Sequence, residues 1–479
     1  MTASIESSSA ASAKNHFHPN VILGVCCLSM LLVGMDVTIV NVALPAIQRS
    51  LHASLSGLQW ILDAYTLVVA SLLMLFGSVS DRVGRRRIFI IGLSLFVTGS
   101  ALCSLARSVE GLVFSRLLQG VGASMLNPVA LSIVATAFPE AKSRARAVGI
   151  WGAVAGLSLA LGPIIGGALT QNVGWRSIFW INVPVGLIAI AMTVRYVPES
   201  KAARSRPIDP GGQILVILGL GSLIYALIEG PRAGWGSAPI CGLFGLAAMS
   251  AVGFVLYEPR RKQPLLDLRF FRSVSFSSAA VLAVCAFSSF SAFLFLNVLY
   301  LQQARGLSAL QSGLCTLPLA LMMMVSAPVS GRLVGVYGSR PSLITSGLAI
   351  VCSALILTQL STQTPVWLLL LSYALFGLGL GLVNPAISTN AVSGMPLSQA
   401  GVAAAIASTS RQVGAALGVA VAGTLVNSSQ GKSLPEATHP IWWLMGASGS
   451  VVLVLGWASA ISWSKAQDNN AKSLISAEA

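Results

Sequence analysis

Very few ionisable side chains lie inside the long apolar stretches of this 479-residue chain, and those few are where chemistry is available. A charged group at bilayer depth is costly and normally faces a cavity or a partner, so each is a functional candidate. Asp36 precedes Pro45 by nine positions and Arg116 follows Glu110 by six. At 1.5 Å per residue these offsets set them about 13 Å and about 9 Å below the same membrane face, at comparable depths. Whether such an acid holds a proton depends on its burial and on the nearness of a guanidinium, so a small rearrangement changes its occupancy. Asp36 is also a candidate contact for a cationic substrate.

Asp63 lies three residues past Trp60 and is expected to be shallow, near a mouth of the protein. There it either receives a cationic substrate or is a water-exposed helix-end carboxylate. Arg411 and Gln412 sit in a later apolar stretch, where they either hydrogen-bond between two halves of the protein or make a structural pairing. Past Glu229 the acidic residues are Glu258, Asp267, Glu436, Asp468 and Glu478, all in loops or tails. Proton handling is thus expected in the first half. The second half offers lipophilic surface instead, with Tyr373 and Phe376 as tentative substrate contacts and ordinary packing as their alternative.

The elements that must position these residues are fourteen apolar stretches, each long enough to cross a bilayer core, which needs roughly 20 residues. They fall near 20–45, 57–80, 88–106, 110–138, 147–170, 176–197, 210–229, 238–257, 275–301, 312–336, 341–360, 366–390, 400–426 and 441–464. Most of the 29 Lys and Arg, including Arg82, Arg85, Arg86 and Arg87, fall in every second connection. The positive-inside rule then makes both termini cytoplasmic. Trp60, Trp175, Trp235, Trp367, Trp442 and Trp443 cluster at the opposite helix ends, as an interfacial belt requires.

Composition agrees: 55% hydrophobic, 9% charged, and a net charge of +15 carried largely by those loops. The basic balance is no sign of nucleic acid. The seven Cys lie in or beside apolar stretches without metal-ligand spacing, and the four His lie outside them, so no metal, cofactor or catalytic cluster is expected. No Gly-x-x-x-x-Gly-Lys-Ser/Thr string occurs, so this chain is not expected to hydrolyse ATP, and a primary pump would need a separate ATPase. The first stretch has spanning length without a cleavage signature and is expected to remain.

An internal repeat sets the architecture. The string from Gly77 to Arg86 has a worn copy from Gly331 to Arg340, and Gly120, Gly122, Asn127 and Pro128 reappear as Gly377, Gly379, Asn384 and Pro385 at nearly the same offset. Two landmarks at one offset imply a duplicated six-helix unit in parallel orientation. The expected layout is a tail at 1–19, a six-helix bundle at 20–200, an inserted two-helix hairpin with its loops at 201–273, a second six-helix bundle at 274–464 and a tail at 465–479.

The run Asp36-Val37-Thr38-Ile39-Val40-Asn41-Val42-Ala43-Leu44-Pro45, the Gly77–Arg86 string and Arg116-Leu117-Leu118-Gln119-Gly120 together resemble the major facilitator superfamily. With fourteen spans and the run from Trp175 to Pro184, the resemblance narrows to its fourteen-spanner drug:proton antiporters. It implies an all-α major facilitator fold of two pseudo-symmetric bundles, in which helices 1 and 4 of each half line a central cavity. That placement makes Asp36 and Arg116 the expected proton-coupling pair, with a static packing pair as the alternative. The resemblance also implies that the loop containing Gly77, Asp81, Arg82, Gly84, Arg85 and Arg86 is a conformational switch holding the halves in one access state; a merely topogenic loop would have no use for Asp81. The small-residue run Gly162, Pro163, Gly166 and Gly167 resembles the antiporters' helix 5 motif, beside its plain role in close helix packing.

The resulting expectation is a proton-driven exporter of amphipathic, cationic drugs or biocides. It would act as a monomer in the bacterial cytoplasmic membrane, with a small molecule, protons and lipid as its partners. The alternative is export of an endogenous metabolite, siderophore or antibiotic on the same scaffold. A membrane enzyme lacks a catalytic cluster, and a channel or receptor has no need of duplicated halves.

Overall fold

The computed structural model describes residues 18–201, 209–261, 265–266, 268–393, 400–429 and 431–477. The expected N-terminal tail and parts of the loops flanking the hairpin lie outside the described residues. The helices are α1 (Pro19–Leu51), α2 (Leu55–Val83), α3 (Arg85–Leu105), α4 (Val109–Ala137), α5 (Ala141–Asn172), α6 (Ser177–Trp180), α7 (Asn182–Tyr196), α8 (Pro210–Ala233) and α9 (Ala238–Tyr257). They continue as α10 (Val274–Leu299), α11 (Ala309–Cys315), α12 (Leu317–Tyr337), α13 (Ser339–Leu357), α14 (Val366–Val392), α15 (Ala400–Ser428) and α16 (Leu434–Ala477).

Thirteen described helical segments are long and apolar enough to cross a membrane. The fourteenth expected span, α15, has the length at 29 residues, but Arg411, Gln412 and its Ser and Thr residues dilute its apolar character. The expected span at 176–197 is broken into α6 and α7 around Ile181, and the expected ninth span closes with a π turn, Tyr300–Ala304. The last helix runs past the expected end at 464 to Ala477, since no Gly or Pro interrupts the polar extension. α1 likewise continues through Pro45 and ends at His52 in the left-handed region, φ 50°.

The duplication is visible in the packing. α1 lies on α5, α2 on α4, and α3 on α4 and α7; correspondingly α10 lies on α15, α12 on α14, and α13 on α14 and α16. Glycines set these approaches. A Cβ on Gly122 would meet the Phe96 backbone nitrogen at 2.5 Å, and one on Gly418 the Ser288 carbonyl at 2.2 Å, so α3–α4 and α10–α15 touch backbone to backbone. α8 packs on α9, α2 and α15, whereas α9 leans on α8 and leaves Met249, Val252 and Val255 exposed.

Near the face opposite the α2–α3 loop, one apolar core runs continuously between bundles, joining Ile39, Leu44 and Trp175 with Phe293, Tyr300 and Trp442. Near the face that carries this loop, hereafter the basic face, the core of Cys26, Phe89 and Val129 stays within the N-terminal bundle. The bundles are therefore sealed at one face and separated over part of the other.

Candidate functional site

Asp36 is the centre of a buried polar cluster built from α1, α3, α4 and α7. Its Oδ2 takes a hydrogen bond from Arg116 Nη1 at 2.5 Å, and its Oδ1 takes them from Gln119 Nε2 at 2.8 Å and Asn182 Nδ2 at 3.3 Å. Arg116 also donates to Gln119 Oε1 at 2.7 Å and, through Nε, to the Ile61 carbonyl at 3.1 Å, while its guanidinium lies 4.2 Å from the Tyr65 ring centroid. Ser100 Oγ accepts from both Gln119 and Asn182. Asp36 is 0% and Arg116 1% exposed. An ion pair this deep is tolerated because both carboxylate oxygens are hydrogen-bonded and three of the guanidinium's donors are used.

Local sequence explains the placement. Gln119 follows Arg116 by one helical turn, so both face α1. Gly99 lets α4 approach, since a Cβ there would sit 2.8 Å from the Gln119 Cβ. The depth argument thus brings the expected pair together. It missed Gln119, Asn182, Ser100 and Tyr65; the Arg116–Gln119 spacing was a usable signal for the first.

Asp63 is not at an open mouth. It is 0% exposed, and neither carboxylate oxygen has a hydrogen-bond partner among the described residues. One turn earlier Gln59 donates to the Val419 and Ala420 carbonyls of α15, and a Cβ on Gly423 would stand 2.2 Å from the Gln59 side chain. The small residues of α15 let it lie flat on α2, enclosing the expected mouth. A carboxyl buried without a partner is costly, so Asp63→Asn is expected to leave membrane-inserted yield unchanged and to raise thermal stability by about 1 kcal/mol. Thermal denaturation of the purified protein checks this.

Tyr373 and Phe376 are likewise not a cavity wall here. Both are 0% exposed, with their rings against Phe293, which also meets Trp442, and the Tyr373 hydroxyl donates to Asn297 Oδ1. They point into the C-terminal bundle rather than toward its partner. Arg411 also contacts its own bundle, donating to Ser388 Oγ of α14 at 2.6 Å and facing the Phe287 ring of α10. Neither contact of Arg411 crosses between bundles; Gln412, its neighbour on α15, is half-buried.

The loop string is organised within the N-terminal bundle. Asp81 Oδ1 pairs with Arg85 at 2.9 Å, and Arg85 reaches Thr136 Oγ1 on α4 at 2.6 Å. Gly84 adopts φ +128°, and a Cβ there would lie 2.6 Å from Glu199 Oε1. That carboxylate accepts from the Arg86 amide at 3.1 Å and pairs with Arg87 at 3.7 Å. Arg86 also donates to the Val194 carbonyl at 2.5 Å. Glu199 was invisible to sequence reasoning, being far along the chain. Gly77 leaves room for Pro128 of α4, at 3.8 Å from its would-be Cβ.

The helix 5 glycines do two jobs. A Cβ on Gly162 would meet Thr38 and one on Gly166 would meet Ile39, so both lay α5 on α1. Gly167 and Pro163 meet α11 instead: a Cβ on Gly167 would be 2.6 Å from the Ala309 carbonyl, and one on Gly313 would be 2.2 Å from the Pro163 carbonyl. With Gln302 donating to the Val42 carbonyl, these contacts close the opposite face. Toward the basic face the same helix is free: a Cβ on Gly149, Gly152 or Gly156 meets nothing within 4 Å, nor does one on Gly331 or Gly335 of α12. α2 and α15 stay packed there, through Met74 beside Ile406. Over this stretch α5 and α12 are not pressed against a neighbour, although the two helices do touch along part of their length.

One face is sealed by contacts between the bundles, and a charged cluster is buried inside the N-terminal bundle. Residues 26–419 match the Major Facilitator Superfamily. The chain belongs to that superfamily. It is 38% identical over 399 residues to the multidrug resistance protein Stp of Mycobacterium tuberculosis, covering 83% of this chain and 74% of that protein. It is 38% identical over 410 residues to the tetracenomycin C resistance and export protein of Streptomyces glaucescens, covering 85% and 76%. The human organic anion transporter MFSD10 (TETRAN) superposes with a TM-score of 0.62 at 17% identity, covering 92% of this chain and 99% of that one, which shows the fold alone. This major facilitator protein is thus a multi-pass membrane protein of the drug-efflux kind, a transporter and not an enzyme.

Proposed function

We propose that this chain exports amphipathic drugs or antibiotics in exchange for protons. The observation carrying the coupling is the Asp36–Arg116–Gln119–Asn182 cluster, an acid whose three partners come from two other helices, α4 and α7. Relative motion of those helices changes the carboxylate's partners and hence its hold on a proton. In this reading the basic face is cytoplasmic, both termini lie there, and the conformation is open to the cytoplasm. α8 and α9 form an inserted hairpin between two six-helix bundles, fourteen spans in all, and the protein works as a monomer in a bacterial cytoplasmic membrane. Cationic cargo fits the acids of the N-terminal bundle only in the alternate, outward-open state, since Asp36 and Asp63 are enclosed here. Expression in a host stripped of its own exporters should lower drug accumulation, and a protonophore should restore it. Accumulation indifferent to the protonophore would rule out proton coupling.

Export of an antibiotic made by the host is the second reading, favoured by the name of the Streptomyces glaucescens relative.

The switch loop carries its own expectation. The Asp81–Arg85 pair is partly exposed, and such pairs contribute at most about 1 kcal/mol to stability. Asp81→Asn should therefore fold normally yet slow turnover severalfold, with the substrate concentration at half-maximal rate little changed. Initial-rate efflux measurements check this; an unchanged turnover number leaves only a topogenic loop.

A further inference from the structure

A solute entering from the basic face does not meet the acids within the spans of the N-terminal bundle. Asp36 is tied to Arg116, and Asp63 lies beneath α15; both are fully buried. The charge it meets instead is a cation. Asn384 and Ser388, one turn apart on α14, form an accessible stripe near the basic-face end of that helix, and Ser388 is exposed. Asn127 and Leu131 form the equivalent accessible stripe on α4, the duplicated partner of α14. Arg411 reaches the α14 stripe from α15 by donating to Ser388, and its guanidinium carbon lies 5.9 Å from the ring centroid of Phe287 on α10.

Three helices thus converge on one guanidinium that lacks a counter-ion. No ion pair among the described residues involves Arg411. Its Nε is buried without a hydrogen-bond partner. Arginine has five N–H donors and no acceptor, so one serine hydroxyl leaves most of its capacity unused. Arg116, the other arginine inside the spans, has a carboxylate, two further acceptors and an aromatic face. The contrast between the two is chemical: one is satisfied by the protein, the other awaits an acceptor.

We infer that Arg411, with Ser388 and Phe287, is an anion-accepting subsite for the acidic group of an amphipathic cargo. A carboxylate, enolate or phenolate takes the free edge of the guanidinium fork, which suits planar oxyanions. The lipophilic body of the cargo lies along Phe287. For the transported class the inference rests on the exporter reading above; the binding itself does not.

The test uses the full-length protein purified in an uncharged detergent free of anionic lipid, so that no lipid phosphate fills the site. Binding of 1-naphthaleneacetic acid and of its methyl ester is measured by equilibrium dialysis. The wild type should favour the acid by about tenfold, the scale of a hydrogen bond to a charged group. Arg411→Gln should abolish that preference while leaving the ester's affinity unchanged. Ser388→Asp, a change at an exposed position, should do the same by giving Arg411 an internal counter-ion, and it decides the matter if Arg411→Gln does not fold. Equal wild-type affinity for acid and ester, or an acid preference surviving in the variants, would overturn the subsite. A clear acid preference without gradient-driven flux of either compound would support the subsite and count against the exporter reading.

Discussion

Arg116→Ala is expected to abolish proton-coupled efflux and to cost about 3–5 kcal/mol of stability, because it strands a buried carboxylate. Asp36 would keep only the amides of Gln119 and Asn182. Arg116→Lys should recover part of the stability and little transport: one ammonium cannot serve Asp36, Gln119 and the Ile61 carbonyl in the geometry of a guanidinium. Asp36→Asn preserves shape and removes titration, so it should insert and fold while losing coupled efflux. Combining Asp36→Asn with Arg116→Gln should be less destabilising than Arg116→Ala alone, since neither charge is then left unpaired. Thermal denaturation in detergent and efflux from intact cells read the two effects separately.

The second large effect is expected at the seal. Gly313 lies against the Pro163 carbonyl, and a side chain there meets rigid backbone at 2.2 Å. Gly313→Val should hold α11 away from α5, keep the opposite face ajar, and reduce transport by an order of magnitude or more without preventing insertion. Gln171 Oε1 accepts from the Leu310 amide at 3.4 Å across this contact. Cross-linking between cysteines at positions 171 and 310 should accordingly be efficient in the parent and weak with Gly313→Val. Undiminished cross-linking together with normal transport would mean that the α5–α11 contact is not the gate.

What the sequence disclosed depended on whether position along one helix was enough. Asp36 and Arg116 were placed at similar depth by counting from Pro45 and Glu110; α1 runs on past Pro45 to Leu51, so the first count was short, yet the structure joins the pair at 2.5 Å. The duplicated glycines and asparagines forecast two bundles, and the same helix pairs pack in each. Asp63 was misplaced because its exposure depends on which helix covers it. Nothing near Asp63 announces that Gly423 and its neighbours bring α15 onto α2. Tyr373 and Phe376 stayed open between substrate contact and packing for a related reason: an apolar helix has no polar face to orient it, so its rings could point to a cavity or to Phe293, and in this structure they meet Phe293. Glu199 under Gly84 is a pairing between distant chain segments, which no local spacing encodes.

In the proposed mechanism, proton binding at Asp36 drives export. The direct measurement reconstitutes the protein in liposomes loaded with a pH-sensitive dye, imposes a pH gradient, and records substrate and proton movement together. Substrate and protons should move in opposite directions in the parent, with that movement collapsing when the gradient is dissipated and absent in Asp36→Asn. Substrate flux in Asp36→Asn at the parent rate, still accompanied by proton counterflow, would contradict it.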